Sequence, residues 1–228
     1  MNNPFDFFER IYCINLSHRT DKWEESLKEF EKVGIQNKVV RFEGIKFDRN
    51  LYGYMYARGG CFASHREIIN ICKQENVSNV LVLEDDIYFR NDPVKNLDLS
   101  LKELKEHDWD IYYLGMNVTT EVYSEPLIRI SENLLKVKSA LTTHAIAYNN
   151  LCYDDILNNI PAGDNIINWL YQNESMDGWF MRYFLNTKNV FCPNEFLATQ
   201  RENISDIDLM PITYSKSIED NFYKLRPL

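Results

Sequence analysis

Three adjacent carboxylates, Glu84-Asp85-Asp86, close the apolar run Val80-Leu81-Val82-Leu83. An unbroken, β-branched-rich run reads as a central strand covered on both faces. In open α/β sheets the carboxyl ends of the strands are where ligands sit. Two unit charges about 5 Å apart repel by roughly 3 kcal/mol at an effective dielectric near 20, so the triplet calls for a cation. Carboxylate oxygens are hard ligands that favour Mg²⁺ or Mn²⁺ over Zn²⁺, and along the sequence no His/Cys cluster with zinc spacing competes. The plain alternative is a solvated turn after a strand.

Two further segments carry groups suited to anions. Gly59-Gly60-Cys61-Phe62-Ala63-Ser64-His65 places flexible backbone, a hydroxyl and an imidazole at the expected entry of a helix, where backbone N–H groups and the dipole can hold a phosphate. Asn15-Leu16-Ser17-His18-Arg19 repeats the device at the first strand-to-helix turn and adds a guanidinium. For either histidine alone, a structural hydrogen bond is the competing role.

These groups need a scaffold, and hydrophobic periodicity supplies one. Ile11–Leu16, Val39–Phe42, Val80–Leu83 and Ile111–Gly115 read as strands. Lys22 to Val33, with Trp23, Leu27 and Phe30 facing the sheet, reads as a helix ended by Gly34; Ala63 to Glu75 and Pro93 to Glu106 read as two more. Alternating strand and helix imply an α/β sheet with largely parallel crossovers. The second half predicts strands at Leu134–Lys138, Leu141–Tyr148 and Asn189–Cys192, and helices at Cys152–Asn159 and Met176–Leu185. No repeat or linker marks a boundary, so residues 1–228 read as one domain, with 199–228 as a less regular C-terminal arm.

Composition narrows the partners. The 228 residues carry 25 basic and 34 acidic side chains, a net charge of −9, with 45% apolar and 14% aromatic residues, enough for a sizeable core. Without a Lys/Arg cluster the chain lacks the electrostatic footprint for nucleic acid or anionic lipid. No apolar run reaches the roughly 18–20 residues of a bilayer span, and no cationic leader opens the chain. Peripheral membrane contact stays open, although no basic amphipathic helix is evident. Five scattered cysteines without a Cys-x-x-Cys pair fit a reducing, cytoplasmic setting.

Four segments together resemble glycosyltransferase family 25, which includes lipooligosaccharide and collagen galactosyltransferases: Ile14–Asp21, Gly60–His65, Val82–Asp86 and Thr143-His144-Ala145. A weaker fifth is Gln200–Ile207. The resemblance implies a GT-A type fold, a single mainly parallel sheet flanked by helices, and inverting transfer of a hexose from a UDP-sugar, galactose before glucose, to a glycan or glycoconjugate hydroxyl. Where the family commonly has Asp-Gly after its second strand, this chain reads Glu43-Gly44-Ile45-Lys46-Phe47-Asp48.

On that resemblance the roles fall as follows. Asp86 ligates Mn²⁺ or Mg²⁺, Asp85 takes the ribose or the metal's waters, and Glu84 takes a sugar hydroxyl. Asn15, Leu16, Arg19, Ser64, His65 and His144 join Asp85 in holding the donor, His144 having a core-histidine role as its alternative. Inversion needs a base for the acceptor hydroxyl. Asp177 in Glu174-Ser175-Met176-Asp177-Gly178-Trp179 is the candidate, with Glu174 and Asp164 as alternates, although Ser and Asp also open helices in the ordinary way. Trp179, with Tyr171 and Phe180, is either a sugar-stacking face or core. A competing function is a sugar-nucleotide or glycan binding protein without turnover. A phosphohydrolase is weakened by the lack of a second carboxylate cluster.

Overall fold

A computed structural model of the chain describes residues 3–202 and 215–227. Its strands are β1 (Arg10–Asn15), β2 (Val39–Glu43), β3 (Asn79–Glu84), β4 (Ile87–Phe89), β5 (Ile111–Val118), β6 (Leu127–Arg129), β7 (Leu134–Val137), β8 (Ala140–Asn149), β9 (Val190–Pro193) and β10 (Ala198–Gln200). The helices are α1 (Thr20–Lys32), α2 (Arg49–Tyr52), α3 (Met55–Gln74), α4 (Pro93–Leu104), α5 (Tyr153–Asn159), α6 (Asn165–Asn173), α7 (Met176–Trp179) and α8 (Ser215–Leu225).

One eight-stranded sheet runs in the order β2-β1-β3-β8-β5-β9-β7-β6, and β10 pairs with β4 in a separate ribbon. β1 is parallel to β2 and β3, and β5 to β9, whereas β8 and β7 run against their neighbours. β2, β1, β3, β5, β9 and β6 thus share one direction, with β8 and β7 opposing it. This is the mainly parallel α/β sheet flanked by helices expected of the GT-A type.

Alternation along the central strands builds two cores. Val80 and Val82 of β3, with Ile111 and Tyr113 of β5, face the cluster that α3, α5, α6, α7 and α8 cover. Leu81 and Leu83, with Tyr112 and Leu114, face the opposite cluster under α1, α4 and the N-terminal turn Pro4–Phe7. Both faces being covered explains why these strands are continuously apolar.

Three expectations need correction. The inner face of α1 is not Trp23, Leu27 and Phe30: it buries Lys22, Ser26, Glu29 and Phe30, while Leu27 is 36% exposed. The stripe is polar because α1 covers the acidic loop after β3. Ser26 Oγ donates to Asp85 O at 2.8 Å, and Glu29 Oε2 accepts from Phe89 N at 3.0 Å. Second, α3 begins at Met55, not near Ala63, so Gly59 and Gly60 lie inside the helix rather than at its entry. Their smallness serves packing: a Cβ on Gly60 would sit 2.3 Å from Ile45 O, and one on Gly59 2.4 Å from Ile167 Cδ1. Third, the arm expected at 199–228 is more regular where it is described, since β10 pairs with β4 and α8 buries Ile218 and Phe222 in the core. Residues 203–207 of the Gln200–Ile207 segment lie outside the described residues.

Candidate active site

The carboxyl ends of β1 and β3 lie side by side, with Ile14 opposite Glu84. Asn15 therefore reaches the loop after β3, where its Nδ2 donates to Asp85 Oδ2 at 2.6 Å. Lys22, buried on α1, brings Nζ to 3.6 Å from Asp85 Oδ1. One cation thus already stands against the acidic tip, supplied by the polar stripe of α1.

A cleft of about 530 Å³ opens at this end of the sheet, lined by Glu84, Asp85, Asp86 and Asp177 on its acidic side. His18, Lys22, Lys46 and Arg58 also line it. One cleft therefore holds both a carboxylate cluster and the basic side chains of Lys22, Lys46 and Arg58.

Asp86 is the most perturbed of the acids. It is buried, its Oδ2 accepts from Gln200 Nε2 at 3.2 Å, and its Oδ1 has no hydrogen-bond partner among the described residues. Burial first, then the charges of Glu84 and Asp85, push its carboxyl up to about 7. The register of β10 on β4, Gln200 opposite Ile87, is what brings Gln200 to it. An orphaned hard oxygen, in a carboxylate that resists ionising for want of positive charge, fits a divalent cation of the Mg²⁺ or Mn²⁺ kind.

Glu84 is held differently. Burial raises its carboxyl, but His65, His144 and the Thr143 hydroxyl outweigh that and keep it below the ordinary value. Its Oε1 accepts from Thr143 Oγ1 at 2.9 Å and faces His65 Nε2 at 3.5 Å and Cys61 Sγ at 3.8 Å. Neighbouring carboxylates thus part in character: one is held ionised, the other inclined to hold a proton.

Asp177 lines the same cleft from the start of α7. Its Oδ2 accepts from Thr142 N at 2.9 Å and its Oδ1 from Gly178 N at 3.0 Å. Both oxygens keep lone pairs for a further donor. Thr142 reaches this position at a φ of 71°, in the left-handed region.

The other expected site residues divide. Asn15, Leu16, Ser64 and Asp85 line the cleft. Ser64 contributes structurally, since its Oγ accepts from Ile45 N at 2.9 Å and donates to Gly60 O at 2.7 Å, fixing the loop that forms one wall. Arg19 is absent from the lining and its guanidinium lies 2.8 Å from Asp21 Oδ2. His65 and His144 stand behind the wall, fully buried. Burial lowers the His144 imidazole pKa, and its Nδ1 lies 3.1 Å from Thr142 Oγ1. Neither alternate base lines the cleft: Glu174 pairs with Arg182 at 3.1 Å, and exposed Asp164 bonds the Tyr52 hydroxyl. Trp179 and Phe180 belong to the core, packed on Trp169 and Phe184, and Tyr171 is exposed away from the cleft lining, so the sugar-stacking reading is set aside.

Sequence reasoning missed Cys61, Thr143 and Gln200 beside the acids, and the basic side chains Lys22, Lys46 and Arg58 in the cleft lining. Thr143 and Gln200 lay in the segments that carried the family resemblance. Cys61 and His65 are four apart on α3 and so share a face, a signal hidden while the helix was started at Ala63.

With this geometry in view, the relatives are informative. Residues 57–160 match the family described as Glycosyltransferase family 25 (LPS biosynthesis protein). Over this segment the chain is similar to members of glycosyltransferase family 25. A Glycosyltransferase 25 family member of Drosophila melanogaster is 28% identical over 150 residues, 56% of this chain and 24% of that protein. Procollagen galactosyltransferase 1-B of Xenopus laevis is 30% identical over 129 residues, 47% of this chain and 21% of its own length. The Inactive glycosyltransferase 25 family member 3 of Homo sapiens is 27% identical over the same span, 47% of this chain and 22% of that protein. The match therefore spans less than a quarter of each of these relatives. Among solved structures, a glycosyltransferase involved in glycosylation of the major capsid of PBCV-1 aligns with TM-score 0.38 and 10% identity, covering 78% of this chain and 71% of its own. No helix among the described residues is long and apolar enough to cross a membrane.

Proposed function

We propose that this chain is a family 25 glycosyltransferase that transfers a hexose, galactose before glucose, from a UDP-sugar to a glycan or glycoconjugate hydroxyl with inversion. The observation that carries the reading is Asp86 Oδ1, a buried carboxylate oxygen without a hydrogen-bond partner among the described residues, in a cleft that Lys46 and Arg58 also line. A diphosphate brings negative charge into a cleft already lined by four carboxylates, which demands compensation. Asp86 would hold Mn²⁺ or Mg²⁺, and the ion would stabilise charge growing on departing UDP. Asp85, already fixed by Asn15 and Lys22, would face the ribose or the ion's waters. Glu84, whose Oε1 already accepts from the Thr143 hydroxyl, would accept a hydrogen bond from a sugar hydroxyl at its other oxygen.

Asp177 is the proposed base. Its two backbone hydrogen bonds fix the carboxylate orientation across the cleft, leaving lone pairs to take the proton of an attacking hydroxyl. A cytoplasmic reaction is our reading, supported by five cysteines that are all free thiols. The test is donor-dependent UDP release with Mn²⁺. Wild type should release UDP and Asp86→Ala should not; unaltered release and ion binding in that variant would remove Asp86 from the site.

A second reading has a specific observation behind it, since two relatives carry the word inactive in their names. In that case the chain binds a sugar nucleotide or glycan without turnover. Calorimetry showing tight UDP-sugar binding, with neither hydrolysis nor transfer across a broad acceptor panel, would favour it.

A further inference from the structure

Cys61, His65 and Glu84 bring a thiol, an imidazole nitrogen and a carboxylate oxygen to within 4.8 Å of one another, beside but separate from Asp86. We propose that these three side chains form a second cation site, selective for a borderline-soft divalent ion such as Zn²⁺, with its remaining coordination position towards the cleft. The inference shares Glu84 with the transferase reading, but none of its steps requires a sugar nucleotide and its readout is metal binding, so either can fail without the other.

The two ligand spacings to Glu84 approach what such an ion needs, and all three ligand atoms lie within 4.8 Å of one another. Tetrahedral Zn²⁺ with Zn–S of about 2.3 Å and Zn–N and Zn–O of about 2.0–2.2 Å spaces its ligand atoms roughly 3.3–3.6 Å apart. Here Nε2 of His65 lies 3.5 Å and Sγ of Cys61 3.8 Å from Glu84 Oε1. Cys61 and His65 sit one turn apart on α3, and Glu84 ends β3, so the ligands come from two rigid elements rather than loops.

A second observation points to a ligand independently. His65 is fully buried and its Nε2 makes no hydrogen bond among the described residues. Its other nitrogen, Nδ1, lies 3.1 Å from the hydroxyl of Tyr148, itself fully buried on β8. A hydroxyl accepting from Nδ1–H fixes the tautomer that leaves an Nε2 lone pair for a metal, which is the arrangement of metal-bound histidines. Thr143 Oγ1, bonded to Glu84 Oε1, would orient the carboxylate in the same way. Thiolate with imidazole discriminates against Mg²⁺ and Mn²⁺, so the two positions would take different ions. The competing reading is a long polar contact between His65 and Glu84 with Cys61 as a bystander.

The experiment uses the full chain freed of metal by chelation and dialysis, titrated with Co²⁺ as the spectroscopic probe. One equivalent should give a thiolate-to-Co²⁺ charge-transfer band and intense tetrahedral d–d bands, both abolished by Zn²⁺ competition and by Cys61→Ser. Cys72→Ser, a buried thiol elsewhere on α3, should leave the bands in place. Tyr148→Phe, which keeps the ring and removes the hydroxyl, should weaken Zn²⁺ binding about 10-fold or more. The absence of a charge-transfer band in wild type overturns the proposal whether or not the variants fold. So does a band that survives Cys61→Ser with unchanged Zn²⁺ affinity.

Discussion

Asp86→Asn should stabilise the metal-free protein, by an amount that grows with pH. In the fold the Asp86 carboxyl is raised from 3.8 to about 7, by burial above all and then by Glu84 and Asp85. Between those values the folded chain holds a proton that the unfolded chain has released, so Asp86 costs stability as pH rises through the window. At about 1.4 kcal/mol per unit, the cost reaches about 1.5 kcal/mol at pH 5 and about 4 kcal/mol at pH 8. Asparagine keeps the shape and the Gln200 contact but carries no charge. Urea unfolding of the chelated wild type and variant from pH 5 to 8 measures this, and the difference between the two curves reports Asp86 together with its coupling to Glu84 and Asp85, while titrating groups away from the site cancel. Mn²⁺ should then restore stability to wild type and do little for the variant. A difference that stays flat across that range, or a wild type that outlasts the variant at pH 8, would refute a buried Asp86 beside two charged neighbours. The same substitution should end donor-dependent UDP release, so stability and activity should move in opposite directions.

Asp177→Asn should leave donor affinity intact, read by calorimetry, while turnover falls by about 10²-fold or more; unchanged turnover would place the base elsewhere. Gly115→Ala should destabilise the chain by about 1–3 kcal/mol in urea unfolding, because its Cβ would sit 2.0 Å from Ala198 O and 2.6 Å from His144 Nε2. Lys22→Met removes a buried cation 3.6 Å from Asp85, so Mn²⁺ should bind more tightly by calorimetry at low salt, and weaker binding would count against the acidic tip as the ion's position. Ile68→Ala, emptying a fully buried position of α3, should cost about 2–5 kcal/mol without altering Co²⁺ spectra.

The acidic tip, the central strands and the fold class were legible in the sequence alone. Val80–Leu83 and Ile111–Leu114 announce themselves because strands covered on both faces must be apolar at every position, and a charged triplet cannot continue them. The Gly60–His65 and Val82–Asp86 segments carried the family resemblance for the same local reason: chemistry-bearing residue types at short spacing.

What tertiary structure decided is which of those groups face one another. α1 looked like an ordinary amphipathic helix, yet its buried stripe is Lys22, Ser26 and Glu29, because the surface it covers is itself polar. Gly59 and Gly60 looked like a phosphate loop, but they are the thin side of a helix pressed against Ile45 and Ile167. Gln200 reaches Asp86 across 114 positions of sequence only because β10 pairs with β4. Such contacts depend on register and on close approach of elements far apart in the chain. Neither leaves a periodicity that a single sequence can display, whereas burial on both faces of a strand does.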